Sequence, residues 1–221
     1  KIEAIIKNTV NENVTSLAGV PSWMLTLLNN VLVQTKKTNI SEVWSNLEVY
    51  FHGGVNFSPY KQEFKNILSS NTRFYETYNA SEGFFALQDS NDSNDLLLML
   101  DYGIYYEFMV MDNSTILDQK IINLSQVIKK VNYAMIISTN SGLWRYKIGD
   151  TIKFTSLNPF RIQISGRTKN FINAFGEELI IENAEKALEK TLLDYKLNVV
   201  EYKVAPFFMN NKKSGYHQWI I

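Results

Sequence analysis

The sequence contains no cysteine and only two histidines, His52 and His217. The first absence excludes disulfides, thiolate zinc, iron–sulfur clusters and a cysteine nucleophile, and the second excludes a multi-histidine metal centre. Neither sign of charge is in excess, because Lys+Arg and Asp+Glu each number 22. A dedicated nucleic-acid binder needs a positive surplus to neutralise phosphates, so no nucleic-acid partner is expected. No uncharged apolar run reaches the roughly 18 residues of a membrane-spanning helix, and the run Leu96–Leu100 ends at Asp101. No basic-then-apolar leader is visible, which places the protein in the cytoplasm by expectation. The sequons at Asn13, Asn79 and Asn123 are read as coincidences of an asparagine-rich chain. Three nucleotide and nucleophile signatures are missing as well: Gly-x-x-x-x-Gly-Lys-Ser/Thr, Gly-x-Gly-x-x-Gly and Gly-x-Ser-x-Gly. Their absence removes P-loop hydrolysis, the common dinucleotide fold and the α/β-hydrolase triad.

What is present is a chain of 221 residues, 45% hydrophobic and 13% aromatic, which can bury a substantial core. Its chemistry is left to carboxylates, hydroxyls, backbone amides, lysine and arginine. The first residue is Lys1 and the last four, Gln218-Trp219-Ile220-Ile221, form a strand-like run, so both ends are expected to be cut from something longer.

Periodicity organises the chain. Met24, Leu27, Leu28 and Val31 repeat at helical spacing after Pro21, a good first-turn residue. A short helix is expected over 41–47. Glu48–His52 reads as a strand entering the turn Gly53-Gly54, and Ser58-Pro59 reads as the start of a helix lined by Tyr60, Phe64, Ile67 and Leu68. Strand, glycine turn and helix together make an α/β pattern. The middle is richer in strands, at 73–78, 83–87, 96–100, 104–110, 133–139, 151–155 and 161–165. The acidic stretch Asp89–Asp95 lacks EF-hand spacing and reads as a solvated loop. After Gly166 an amphipathic helix carries Ile181, Ala184, Leu188, Leu192 and Tyr195 on one face. Strands at 199–204 and 216–221 flank a polar turn.

Three segments are not easily explained by packing. Tyr78-Asn79-Ala80-Ser81-Glu82-Gly83 ends a strand with small residues, a hydroxyl and a hard oxygen ligand, although alone it also fits an ordinary turn. In Ser141–Asp150, an aspartate after Gly149 suits a ribose diol, but equally a glycine-aspartate turn. Gly166-Arg167-Thr168-Lys169 puts two cations beside a glycine at a suspected domain junction, where a solvated basic turn is the plain alternative.

Taken in order, Tyr-x-x-Ser-Glu, Arg-Tyr-x-x-Gly-Asp and Gly-Arg-x-Lys-x-Phe-Ile-x-x-x-Gly-Glu-Glu resemble the adenylate-forming superfamily. Within it the chain is most similar to the Gretchen Hagen family of acyl-acid amido synthetases, whose Ser-Gly-Leu-Tyr-Arg-Tyr-Arg-x-Gly-Asp is close to Ser141–Asp150. Gly19–Trp23 and Gly215–Trp219 also look familial. The resemblance implies an α/β fold: part of a large multi-sheet N-terminal adenylation domain over 1–168, then the beginning of a small α+β C-terminal cap over 169–221. It implies ATP and Mg2+ as cofactors, and as partners a small-molecule carboxylic acid and an amino acid or other amine. By position, Gly53 and Gly54 would lie against adenine, with Tyr78, Asn79, Ala80 and Ser81 completing that wall. Glu82 would hold magnesium, Asp150 would grip the ribose hydroxyls, and Arg167 would support ribose or phosphate. Lys169 falls at the superfamily's interdomain hinge. The Ser/Thr/Gly-rich phosphate loop that precedes these motifs in the family is absent, so the 221 residues alone are expected not to turn over. Thioester formation with coenzyme A, or a non-catalytic binding module on the same fold, are the alternatives.

Overall fold

The computed structural model describes residues 1–90, 92–111, 120–168, 171–172, 179–207 and 216–221. Two compact units emerge, the first formed by Lys1–Thr77, Glu185–Phe207 and Tyr216–Ile221, the second by Tyr78–Ala184 and Phe208–Gly215.

The first unit is built from βαβ crossovers. Helix α1 (Ile2–Thr9) precedes strand β1 (Ser16–Gly19), helix α2 (Pro21–Thr35), strand β2 (Val49–His52), helix α3 (Lys61–Ile67) and strand β3 (Arg73–Ala80). The pairs β1–β2 and β2–β3 are both parallel, with His52 opposite Glu76. Parallel strands need a crossover of a dozen or more residues, which α2 and α3 with their loops supply. Pro21 opens α2, and Leu25, Leu28 and Val31 of that helix are fully buried. Tyr50 and Phe64 stack at 4.8 Å in the same core, which joins Ile6, Trp44, Phe57 and Leu68.

Sequence and structure differ at three places in this unit. Only one 3₁₀ turn, Ile40–Glu42, forms where a helix over 41–47 was expected; Asn39 and Glu42 close it reciprocally as a capping box. Helix α3 starts after Tyr60 rather than at Ser58-Pro59, because Asn56 Oδ1 accepts from the Ser58 N–H and makes an Asx turn there. Helix α1 has no periodic apolar face of useful length and buries only Ile6.

The second unit begins with the last three residues of β3, which turn through Ser81-Glu82 into β4 (Gly83–Leu87). Strands β5 (Leu96–Leu98), β6 (Ile104–Val110), β7 (Ile121–Asn123), β8 (Asn132–Thr139), β9 (Tyr146–Leu157) and β10 (Phe160–Arg167) follow. Their order is β4-β5-β10-β9-β8-β6-β7, and every neighbouring pair is antiparallel. One face carries the core, with Phe85, Phe108, Met135, Ile152, Phe154 and Ile162 buried. The acidic loop is anchored: Arg161 holds Asp89 through two guanidinium contacts, one of 2.9 Å, and Gln163 donates to Asp95 at 2.7 Å.

Strands β11 (Phe171–Ile172) and β12 (Leu179–Ile180) pair antiparallel and lead into helix α4 (Ile181–Tyr195). Strands β13 (Lys203–Phe207) and β14 (Tyr216–Ile220) form an antiparallel pair. The expected strand over 199–204 is displaced toward the C-terminus: Val199 packs with Leu188 and Leu192, and Tyr202 stacks on Trp219 at 6.2 Å. Among the described residues no helix is long and apolar enough to cross a membrane.

Candidate functional site

The β9–β10 register creates the central feature. Antiparallel pairing interrupted by a bulge between Ile164 and Gly166 sets Arg167 directly opposite Asp150. The Arg167 Nε then donates to Asp150 Oδ1 at 2.9 Å, the guanidinium exposed and the carboxylate largely covered. Gly149, at φ +90°, makes the local backbone turn, and its carbonyl accepts from the Thr168 N–H at 2.7 Å. A side chain at that φ is strained, which is why glycine precedes the aspartate.

The second oxygen of Asp150 is also engaged. Tyr78 Oη donates to Asp150 Oδ2 at 2.8 Å. The Tyr78 ring is buried, 5.0 Å from Phe85 by centroids. Burial, reinforced by the negative charge of Asp150, raises its phenol pKa well above the ordinary value, so the group remains a donor at any working pH. Tyr78–Asp150–Arg167 is therefore a fixed chain in which each carboxylate oxygen has one donor and one lone-pair direction to spare. Two spare acceptor sites on one carboxylate match the two hydroxyls of a cis-diol.

Glu82 sits half-buried in the two-residue connection between β3 and β4. The Tyr146 hydroxyl at the start of β9 hydrogen-bonds it, which raises the Tyr146 pKa. A single oriented carboxylate is what a magnesium ion held mostly by phosphates and water requires. Among the described residues no group of three or more His, Asp and Glu is placed to hold a metal by itself. Asn79, Ala80 and Ser81 are exposed around this connection.

Gly53 and Gly54 lie in the first unit, at the end of β2. A methyl group on Gly53 would collide with the Thr77 carbonyl oxygen, and Gly54 adopts φ +83°. The strand β3 backbone thus passes where any side chain on Gly53 would stand. His52 just before it is 2% exposed and stacks on Phe57 at 3.9 Å. Burial and then the nearby Lys61 lower its pKa to about 4, so the ring is neutral.

Of the sequence-derived site residues, Tyr78, Asp150 and Arg167 are brought into one hydrogen-bonded chain, and Glu82 is joined to Tyr146. Lys169 lies outside the described residues, as do Phe175–Glu178. Sequence reading missed the role of Tyr146 and the Arg145 Nε–Glu107 Oε2 pair at 2.9 Å. The alternating Trp144 and Tyr146 were the available signal, but such alternation reads as core. In the structure Trp144 is 83% exposed.

Residues 1–72 match the family model of the GH3 family N-terminal domain, and residues 97–167 that of the GH3 family central domain. No curated protein matches the chain. Among solved structures, AtGH3.15 acyl acid amido synthetase in complex with 2,4-DB aligns with TM-score 0.74 at 14% identity, over 98% of this chain and 47% of that one. A 2-hydroxyisobutyryl-CoA ligase in the postadenylation state aligns with TM-score 0.65 at 16% identity, over 96% and 44%. Coronafacic acid ligase from Pectobacterium brasiliense aligns with TM-score 0.55 at 13% identity, over 98% and 41%. At these identities the likeness is one of fold, the mixed α/β fold of adenylate-forming enzymes. The chain spans about half the length of the structures it matches.

Proposed function

The chain belongs to the GH3 family, and from that premise we propose that the protein carrying it activates a carboxylic acid with ATP and passes the acyl group to an amine. The observation that carries the reading is the Asp150 carboxylate held between Tyr78 and Arg167 with two acceptor directions free.

In the first half-reaction a carboxylate oxygen of the acid attacks the α-phosphorus of ATP, forming the acyl–AMP anhydride and releasing pyrophosphate. In the second, the amine attacks the acyl carbon, AMP departs with the bonding pair, and the amine loses a proton. The chemistry is useful because an oxide ion is a poor leaving group and AMP a good one. This chain's residues act chiefly by position and charge. Asp150 accepts from the ribose hydroxyls, and Arg167 holds Asp150 while presenting its exposed guanidinium to ribose or phosphate. Gly53 and Gly54 offer a side-chain-free turn to adenine. Glu82, aimed by Tyr146, would hold magnesium, which when bound neutralises negative charge on the phosphates. Lys169 falls at the boundary between an adenylation domain over 1–168 and a cap beginning at 169, the point about which the two would reorient. An amine acceptor, preferably an amino acid, is favoured over coenzyme A by the Ser141–Asp150 motif.

The test is ATP–pyrophosphate exchange by the full natural polypeptide that contains these residues, across aryl, indolyl and fatty acids. Exchange dependent on one acid and lost in Asp150→Ala supports adenylation and identifies the acid. No exchange with any acid, in folded protein, overturns it. Supplying the active acid with amino acids or coenzyme A then separates amide from thioester formation.

A further inference from the structure

His52 takes no part in the chemistry above, yet it stands directly before the Gly53-Gly54 turn. It ends β2, and the carboxyl ends of parallel strands are where open α/β sheets receive ligands. Residues 53–56 leave the strand as an arch. Gly54 and Val55 at its crown are exposed, whereas His52 and Phe57 at its two feet are buried. The feet meet: imidazole and phenyl stack with centroids 3.9 Å apart and planes inclined by 23°.

Each foot is also rooted separately. The Thr77 hydroxyl donates to the His52 carbonyl at 3.2 Å, and the Thr77 backbone leaves no room for a side chain at Gly53. Phe57 lies 5.4 Å from Phe64 and 5.2 Å from Phe74, and its carbonyl accepts from the Tyr60 N–H at 2.9 Å. Tyr50, 5.7 Å from His52, donates its hydroxyl to the Gly19 carbonyl at 2.8 Å, at the end of the neighbouring β1. The imidazole acts here through its face. Its Nδ1 is buried and has no hydrogen-bond partner among the described residues. An unpaired buried nitrogen weakens a fold, so the stack is what the ring contributes.

We propose that the His52–Phe57 stack is a clasp that fixes the span of the arch 53–56, making the two rings positioning residues for the purine of ATP. The ligand rests on the adenylation reading; the shape of the arch does not. Two successive glycines are freely jointed, so Gly53-Gly54 keeps one conformation only if its flanks are held. With the feet stacked, the short loop is closed and ordered before any nucleotide arrives. Without the stack, nucleotide binding has to order the arch, which raises KM for ATP and leaves the chemical step untouched.

The test uses the full natural polypeptide and two readouts. One is hydrogen–deuterium exchange of the peptide spanning 53–56, and the other is ATP–pyrophosphate exchange with ATP and the acid varied in turn. His52→Leu and Phe57→Leu each remove one ring, and His52→Phe keeps the stack without the nitrogens. Both leucine variants should exchange the arch amides about tenfold faster. They should raise KM for ATP roughly tenfold, with kcat within about twofold and KM for the acid unchanged. His52→Phe should restore wild-type values in both readouts. Rings that only support the fold would, when lost, reduce the active fraction and so lower kcat at unchanged KM, and that outcome overturns the clasp. So does unchanged arch exchange in a folded leucine variant, or a His52→Phe protein as impaired as His52→Leu. Circular dichroism identifies the folded variants, and Phe57→Leu decides if His52→Leu does not fold. Wild-type protein that binds no ATP overturns the adenylation reading and the purine's part in this one, while amide exchange still decides whether the stack shapes the arch.

Discussion

Asp150 shows how much a single residue draws from its neighbours. Tyr78 and Arg167 each spend one donor on it, so removing either leaves a covered carboxylate oxygen short of a partner. Tyr78→Phe should cost roughly 1–3 kcal/mol in thermal or denaturant unfolding. It should also raise KM for ATP more than it lowers kcat, if the tyrosine acts by holding Asp150. An equal fall in kcat at unchanged KM would contradict that role. His52 supplies a second prediction at this scale. Its folded pKa of about 4 lies below the ordinary 6.5, so the unfolded chain binds a proton that the folded ring refuses. The corresponding stability is fully present above about pH 6.5 and is lost as pH falls toward 4, by up to roughly 3 kcal/mol. His52→Phe, which keeps the stack on Phe57, should flatten the unfolding free energy across that window. Glu76 tilts stability the other way between pH 4.5 and 7, so the comparison is cleanest in a Glu76→Gln background.

At the scale of elements, the site depends on where strands bend. The strand β9 runs unbroken from Tyr146 to Leu157, although Gly149-Asp150 reads in sequence as a turn. The glycine is present because the backbone at φ +90° must redirect Asp150 toward Arg167 within a continuing ladder. Gly149→Ala should therefore cost about 1–2 kcal/mol from left-handed strain and weaken nucleotide binding through Asp150, measurable by unfolding and by calorimetry together. Gly53→Ala should be worse, because the obstacle is the Thr77 backbone carbonyl, which cannot rotate away. In the strand core, Phe154 is fully buried and meets Phe108 and Tyr133 edge to face. Phe154→Ala should cost about 3–5 kcal/mol in denaturant unfolding. Helix α2 was legible because Pro21 and the 3–4 apolar spacing agree; α1 was not, since only Ile6 is buried.

For the whole molecule, the chain returns on itself: Glu185–Phe207 and Tyr216–Ile221 belong with Lys1–Thr77, although roughly 100 residues separate Thr77 from Glu185 in sequence. The full natural polypeptide should lose exchange in Glu82→Ala and partly recover it at raised magnesium, while a binding module would keep its partner in both Glu82→Ala and Asp150→Ala. Composition by itself settled what chemistry these 221 residues cannot supply, because a stretch without cysteine and with two histidines has no ligands for the excluded centres. Short motifs pointed to the residues of the site, because Tyr78, Glu82, Asp150 and Arg167 stand in a recognisable order and spacing. Their connection was decided only in three dimensions. A register shift at Ile164–Gly166 determines that Arg167 meets Asp150, and a hairpin and a long strand bring Tyr146 to Glu82.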